Sequence, residues 1–103
     1  IDTIIFDEID AGLSGYTASC LANKLRELAN KYQIISISHL PQILAKAEEH
    51  YLVEKASDSE ATISHVKKLD YDGRVIELAR LLSSGKISDI AIKNAKELLK
   101  SED

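Results

Sequence analysis

No apolar run in this chain approaches the roughly 18 residues of a membrane span. Nothing at its start has the charged, apolar and small-residue order of a signal peptide. A single cysteine, Cys20, excludes any intrachain disulfide and any cysteine-built zinc site. One Pro and four Gly leave no room for a Pro- or Gly-rich linker, and five aromatics, four Tyr and one Phe, leave little for a large aromatic core. Basic residues are outnumbered, 13 Lys and Arg against 17 Asp and Glu, for a net charge of −4. The strongly basic surface usual in nucleic-acid binding is therefore not expected within these residues. Methionine and tryptophan are absent altogether. Without an initiating Met, and with a strand almost at residue 1, the chain reads as a piece of a longer one.

What is present is an ordinary globular composition, 45% hydrophobic and 29% charged, in 103 residues. That length allows one domain or part of one, and such a chain buries only about 60–70% of its unfolded surface. TIIF, Thr3 to Phe6, is an apolar, β-branched run of the kind covered on both faces. AGLSG, Ala11 to Gly15, is a glycine-punctuated loop. From about Tyr16 to Lys31 the residues Ala18, Leu21, Ala22, Leu25, Leu28, Ala29 and Tyr32 form one apolar helical stripe. Cys20, in that helix, is expected to be a small buried residue rather than a reactive thiol. IISIS, Ile34 to Ser38, is a second strand, so the three elements make a βαβ unit with parallel strands and a right-handed crossover.

HLPQ follows, with Pro41 where a short helix can begin. YLVEK (Tyr51–Lys55) and ATISHVKKL (Ala61–Leu69) are predicted to pair as a hairpin across a polar loop. Two helices close the chain. The first carries Val75, Leu78, Ala79 and Leu82 and stops near Gly85; the second is capped by Ser88 or Asp89 and buries Ala91, Ala95 and Leu98. No internal repeat or low-complexity segment occurs.

The chemistry gathers at the strand ends. In parallel α/β sheets ligands bind beyond the carboxyl ends of the strands, and a βαβ unit brings both of those ends to one edge. Here the first strand ends in Asp7-Glu8 and the second in His39, 31 residues after Glu8. Two adjacent carboxylates about 4 Å apart repel by roughly 4 kcal/mol at an effective dielectric of 20. Alternation along the strand gives them separate tasks. Asp7 can face Mg²⁺, which prefers oxygen ligands and keeps several waters. Glu8 can take a proton from an attacking water. The competing reading is a solvated strand end, and for His39 a hydrogen-bonded structural residue. His50 and His65 have no metal-ligand spacing and read as structural or surface residues, and Lys67-Lys68 as a solvated strand face.

Together these motifs resemble an ATPase head of the ABC and SMC kind. TIIFDE looks like a Walker B motif, DEIDAGLSG like Walker B plus D-loop, and SISHLPQ like the switch-histidine loop. With ISHLPQILAKAEEHYLVEK and RVIELARLLSSG, the ordered set is most similar to the C-terminal part of the RecN family, bacterial SMC-like ATPases of DNA double-strand-break repair and recombination. One departure is Ser84-Gly85 where a glycine pair is expected. The resemblance implies a partial P-loop NTPase fold, α/β, with a parallel βαβ core, a following hairpin and two C-terminal helices. Residues 1–103 would form the C-terminal lobe of the head.

By matching position, the resemblance implies that Asp7 helps hold Mg²⁺, Glu8 polarises the hydrolytic water, and His39 contacts the γ-phosphate of ATP. Asp10, Gly12 and Ser14 would lie in the D-loop, which communicates across a dimer of heads. The implied partners are an N-terminal lobe of the same protein, a second head sandwiching ATP, and DNA reached through the parent protein. No membrane is implied, and the location would be the bacterial cytoplasm at the nucleoid. No G-x-x-x-x-G-K-[ST] phosphate loop, Q-loop or LSGG-type signature is present. The chain alone is thus not expected to bind ATP tightly or hydrolyse it. Its uncovered first strand is expected to promote self-association.

Other classes fit less well. Another SMC-like head would share most of these features, whereas a transporter head would usually carry Pro-Thr-Ser and Ala-Leu-Asp after Walker B. A phosphoryl-accepting α/β domain of the response-regulator or dehalogenase kind would use a strand-end Asp as nucleophile, and the dehalogenase D-x-D spacing fails at Asp7-Glu8-Ile9. A non-catalytic interaction domain would use the helices after Val75.

Overall fold

A computed structural model describes residues 2–8, 12–57, 62–83 and 85–100. In chain order the elements are β1 (Thr3–Asp7), α1 (Gly15–Leu28), β2 (Gln33–Ile37), α2 (Pro41–Leu44), β3 (Tyr51–Ser57), β4 (Thr62–Lys68), α3 (Tyr71–Leu82) and α4 (Asp89–Lys100). β1 and β2 pair in parallel with no slip, Thr3 opposite Gln33 through Asp7 opposite Ile37. β3 and β4 pair antiparallel, Tyr51 opposite Lys68 through Ser57 opposite Thr62. The α/β architecture read from the sequence is the observed one.

α1 forms where its sequence directs. Ser14 caps it, its hydroxyl oxygen accepting from the Thr17 N–H at 3.3 Å. Ala18, Ala22 and Leu25, at i, i+4 and i+7, are the buried face. The helix ends at Leu28, three residues before the expected Lys31. Beyond it Asn30 and Lys31 donate back to Glu27 and Leu28, tightening the last turn. Cys20 is exposed, contrary to expectation. At about 100° per residue it lies some 200° around the helix from both Ala18 and Ala22, on the opposite side from the core.

Two clusters make the interior. Ala22, Leu25 and Ile43 form one, with Phe6, Leu21, Ile34 and Leu40 packed on it. Ala45, Val75, Leu78, Ala79, Ala91 and Ala95 form the other, flanked by Leu44, Ile92, Leu98 and Leu99. The small residues on α3 and α4 let those helices approach closely. α2 joins the two clusters, since Ile43 belongs to the first and the next two residues to the second. α3 is capped by Asp70, whose carboxylate accepts from the Gly73 N–H at 2.7 Å. α4 is capped by Ser88, which accepts from the Ala91 N–H at 3.1 Å.

β1 was expected to be covered on both faces; one face is covered. Ile4, Phe6 and Ile34 are half-buried, whereas Ile5 is 63%, Ile35 45% and Ile37 50% exposed. The parallel register places these three isoleucines on one face. Parallel sheets are normally covered on both sides. No helix among the described residues is long and apolar enough to cross a membrane.

Two outcomes are expected from this packing. The bare Ile5–Ile35–Ile37 face should drive concentration-dependent self-association in sedimentation, and Ile35→Lys with Ile37→Lys should abolish it; a monomer at every concentration would refute this. Second, burial pushes the buried His50 imidazole below its ordinary pKa of 6.5, with the Arg74 charge adding and the Glu77 charge opposing. Its contribution to stability is complete above 6.5 and is lost as pH falls through the lower folded-state value. Urea melts should show stability falling as the pH drops from 6.5 toward that value, and His50→Gln should flatten the slope.

Candidate functional site

The parallel register decides what stands at the sheet rim. Asp7 lies opposite Ile37, and the Glu8 N–H donates to the Ile37 carbonyl at 2.9 Å, the last bond of the ladder. His39 follows two residues beyond Ile37. Asp7, Glu8 and His39 therefore leave the two strands at the same end of the sheet, and all three are exposed. Among the described residues, none of their side chains has a hydrogen-bond partner.

Glu8 is held at φ +51°, the left-handed region that non-glycine residues rarely occupy. Such a conformation costs about 1–2 kcal/mol in a residue with a Cβ. It persists where the surroundings fix it, and here the Glu8 N–H is tied into the ladder while the chain must turn off the strand. Gly12 also has a positive φ, +79°, and a Cβ there would meet nothing within 4 Å. Its requirement is therefore one of backbone rotation, not of space.

His39 sits in a short connection pinned on both sides. Before it, the Ser38 hydroxyl accepts from the Leu40 N–H at 3.0 Å. After it, Leu40 packs on the first cluster and Pro41 is buried at the first position of α2. Leu40 is the N-cap of α2 and gives it no side-chain bond, so packing and proline stiffness hold the entry.

The D-loop expectations divide. Ser14 is engaged locally, accepting from the Thr17 N–H and donating to Thr17 Oγ1 at 3.1 Å as the cap of α1. Gly12 stands just before it, and Asp10 lies outside the described residues. As a metal site the rim is sparse. Among the described residues no three His, Cys, Asp or Glu side chains gather to hold an ion. The exposed, unpartnered Asp7 carboxylate fits Mg²⁺ as one ligand among phosphate oxygens and waters, as this ion is often held. Concavities of about 400 and 270 Å³ are lined by other residues, the first by the end of α3 and the start of α4, the second by residues including Arg26, Tyr71 and Arg74.

The structure also brings forward residues that periodicity passed over. Arg74 turns its guanidinium inward to α2, donating to the Leu44 and Ala47 carbonyls at 2.9 Å each and to the Ala45 carbonyl at 3.5 Å. Burial lowers its pKa from the ordinary value. Glu77, also buried, pairs with Arg80 one turn on. The sequence signal was the placement of Arg74 and Glu77 beside the apolar Val75–Leu78 stripe, where a charged side chain can curl inward. His50 is buried, as a structural histidine would be, and His65 is exposed.

The strain at Glu8 can be measured. Glu8→Gly should raise the unfolding free energy by up to about 1 kcal/mol in urea titration, because glycine tolerates positive φ. A loss of stability would show that this turn is held by the glutamate side chain.

No family model matches the chain. Curated relatives do. A DNA repair protein RecN of Deinococcus radiodurans is 44% identical over 97 residues, 94% of this chain and 17% of the relative. The Bacillus subtilis RecN is 36% identical over 103 residues, 100% of this chain and 18% of the relative. That of Streptomyces coelicolor is 41% identical over 101 residues, 98% and 18%. The chain thus spans less than a fifth of the length of these relatives. Among solved structures, one from work on ATP-driven dimerization and DNA-stimulated activation of SMC ATPases superposes with a TM-score of 0.65 at 20% identity, covering 84% of this chain and 51% of that one. The Smc head domain of Pyrococcus yayanosii, with a coiled coil and joint, gives 0.57 at 21% identity, covering 92% and 14%. Across 94–100% of its length the chain is similar to DNA repair proteins RecN, and its fold is that of SMC-type ATPase heads.

Proposed function

We propose that residues 1–103 form the C-terminal lobe of an ATP-hydrolysing head acting in DNA double-strand-break repair and recombination. Asp7 helps hold Mg²⁺, Glu8 polarises the attacking water as general base, and His39 contacts the γ-phosphate. The observation carrying this reading is the unslipped parallel pairing that sends Asp7, Glu8 and His39 off one end of the sheet. The names of the relatives support the repair role, and the SMC heads of similar fold support the nucleotide role.

The division of labour follows from the chain's own geometry. Asp7 is still in the ladder, opposite Ile37, so its position is set by the sheet. Glu8 follows at φ +51°, its N–H still bonded to the Ile37 carbonyl, so the strand's regular alternation ends there. Two neighbouring acids can then remain ionised for different tasks, one beside a cation and one beside a water. The chemistry supplied by Mg²⁺ when bound is neutralisation of phosphate charge. His39, on its pinned connection, can donate a hydrogen bond to a terminal phosphate without large rearrangement.

The phosphate loop and the signature motif come from elsewhere in this reading: an N-terminal lobe of the same protein and a second head, with ATP between the two. Gly12 and Ser14, with Asp10, would face that second head as the D-loop. DNA is contacted through the parent protein, in the bacterial cytoplasm at the nucleoid. The open, exposed character of the rim accords with a half-site completed by other surfaces.

In the complete ATPase, Glu8→Gln should lower kcat by about 10²–10⁴-fold while nucleotide binding is kept. Asp7→Asn should weaken Mg²⁺-dependent nucleotide binding, and His39→Ala should lower turnover with folding unchanged. Full ATPase activity in Glu8→Gln would refute the reading.

A further inference from the structure

α2 is only four residues long, too short to hold its shape by helix formation alone. Yet it carries the connection on which His39 stands: Leu40 is its N-cap and Pro41 its first residue. Its far end is held by backbone bonds from Ala45, Lys46 and Ala47, by the packing of Leu44 and Ala45, and by one side chain. The Arg74 guanidinium, reaching from the first turn of α3, donates through Nη2 to the carbonyls of Leu44 and Ala47 at 2.9 Å and of Ala45 at 3.5 Å. These carbonyls belong to the end of α2 and the turn after it; that of Leu44 also accepts from the Ala47 N–H at 3.3 Å, and Arg74 adds a side-chain donor to a helix end where N–H groups run out. Arg74 is half-buried, and its Nε is buried without a partner. The group is thus committed to α2 and to no carboxylate.

From these contacts we infer that Arg74 is a positioning residue for His39, acting through α2. The clamp joins the α3–α4 cluster to the segment that sets the His39 backbone, so any shift of α2 along its axis displaces His39 relative to Asp7 and Glu8. This inference rests on the ATPase reading above. All three bonds leave the single nitrogen Nη2, and a lysine ammonium, on a shorter and more flexible stem, reaches that position less well. Reacting groups misplaced by about 1 Å can lose two orders of magnitude in rate. The clamp thereby links turnover to the docking of α3 on α2, and so to whatever moves α3.

The test uses the complete ATPase with Arg74→Lys, Arg74→Ala and, as reference, Glu8→Gln. Turnover is expressed per correctly folded molecule and compared with KM for ATP and with Tm. Arg74→Lys is expected to lower kcat about tenfold or more, with KM within about twofold of wild type and Tm within a few degrees. Arg74→Ala is expected to lower kcat further and Tm as well. Should both variants lower Tm alone, with kcat per folded molecule unchanged, Arg74 is only a structural clamp and the inference fails while the ATPase reading stands. Should Glu8→Gln hydrolyse ATP like wild type, it is the ATPase reading that fails, and this inference with it.

Discussion

Five residue pairs of parallel ladder, Thr3 with Gln33 through Asp7 with Ile37, determine what this chain can present to a ligand. Parallel pairing sends both strand ends to one rim, and the absence of slip decides which residues arrive there together. A one-residue slip would reverse which side chains face α1. A slip of β1 would bring Ile5 inward and drive the half-buried Ile4 and Phe6 out. The ladder and the α1 packing therefore hold each other. The Glu8 N–H bond to Ile37 closes the ladder and fixes the point where the chain must turn, so the strain at Glu8 is a direct consequence of the register.

The rest of the molecule keeps that rim in place through α2. A four-residue helix contributes almost no stability itself, but here it is the meeting point of two clusters. Ile43 faces α1 and the sheet, whereas Leu44 and Ala45 face α3 and α4. The hairpin of β3 and β4 is anchored at its base: the Leu69 N–H donates to the His50 carbonyl at 2.9 Å, and both residues are buried. There the Glu49 carboxylate takes hydrogen bonds from the Tyr51 hydroxyl and the Lys68 ammonium, which hold it below its usual pKa. The hairpin's outer surface, with Val53 and Val66 exposed, contributes little to the core.

Much of this was legible in the chain. Periodicity gave α1, α3 and α4 with most of their inward residues, though Ala29 and Leu82, expected inside, are exposed, and the caps Ser14, Asp70 and Ser88 match the residue types that accept from helical N–H groups. The convergence of Asp7-Glu8 with His39 on one rim followed from a βαβ unit alone. Three features did not follow. The bareness of Ile5 could not be read, because an apolar strand looks alike whether or not a second layer covers it. Cys20 was misplaced by composition when helical angle alone puts it outside. Arg74 was hidden because an arginine's partners are carbonyls set by tertiary packing, which no local pattern encodes.

The central claim is that Asp7, Glu8 and His39 serve one nucleotide. A crystal structure of the complete head with Mg²⁺ and a non-hydrolysable ATP analogue tests it most directly. The account expects the Asp7 carboxylate beside the ion, directly or through one water, and the His39 imidazole at the terminal phosphate, with Glu8 facing the in-line water. Nucleotide bound away from this rim, or His39 turned from the phosphates with the ion held by other acids, would contradict it.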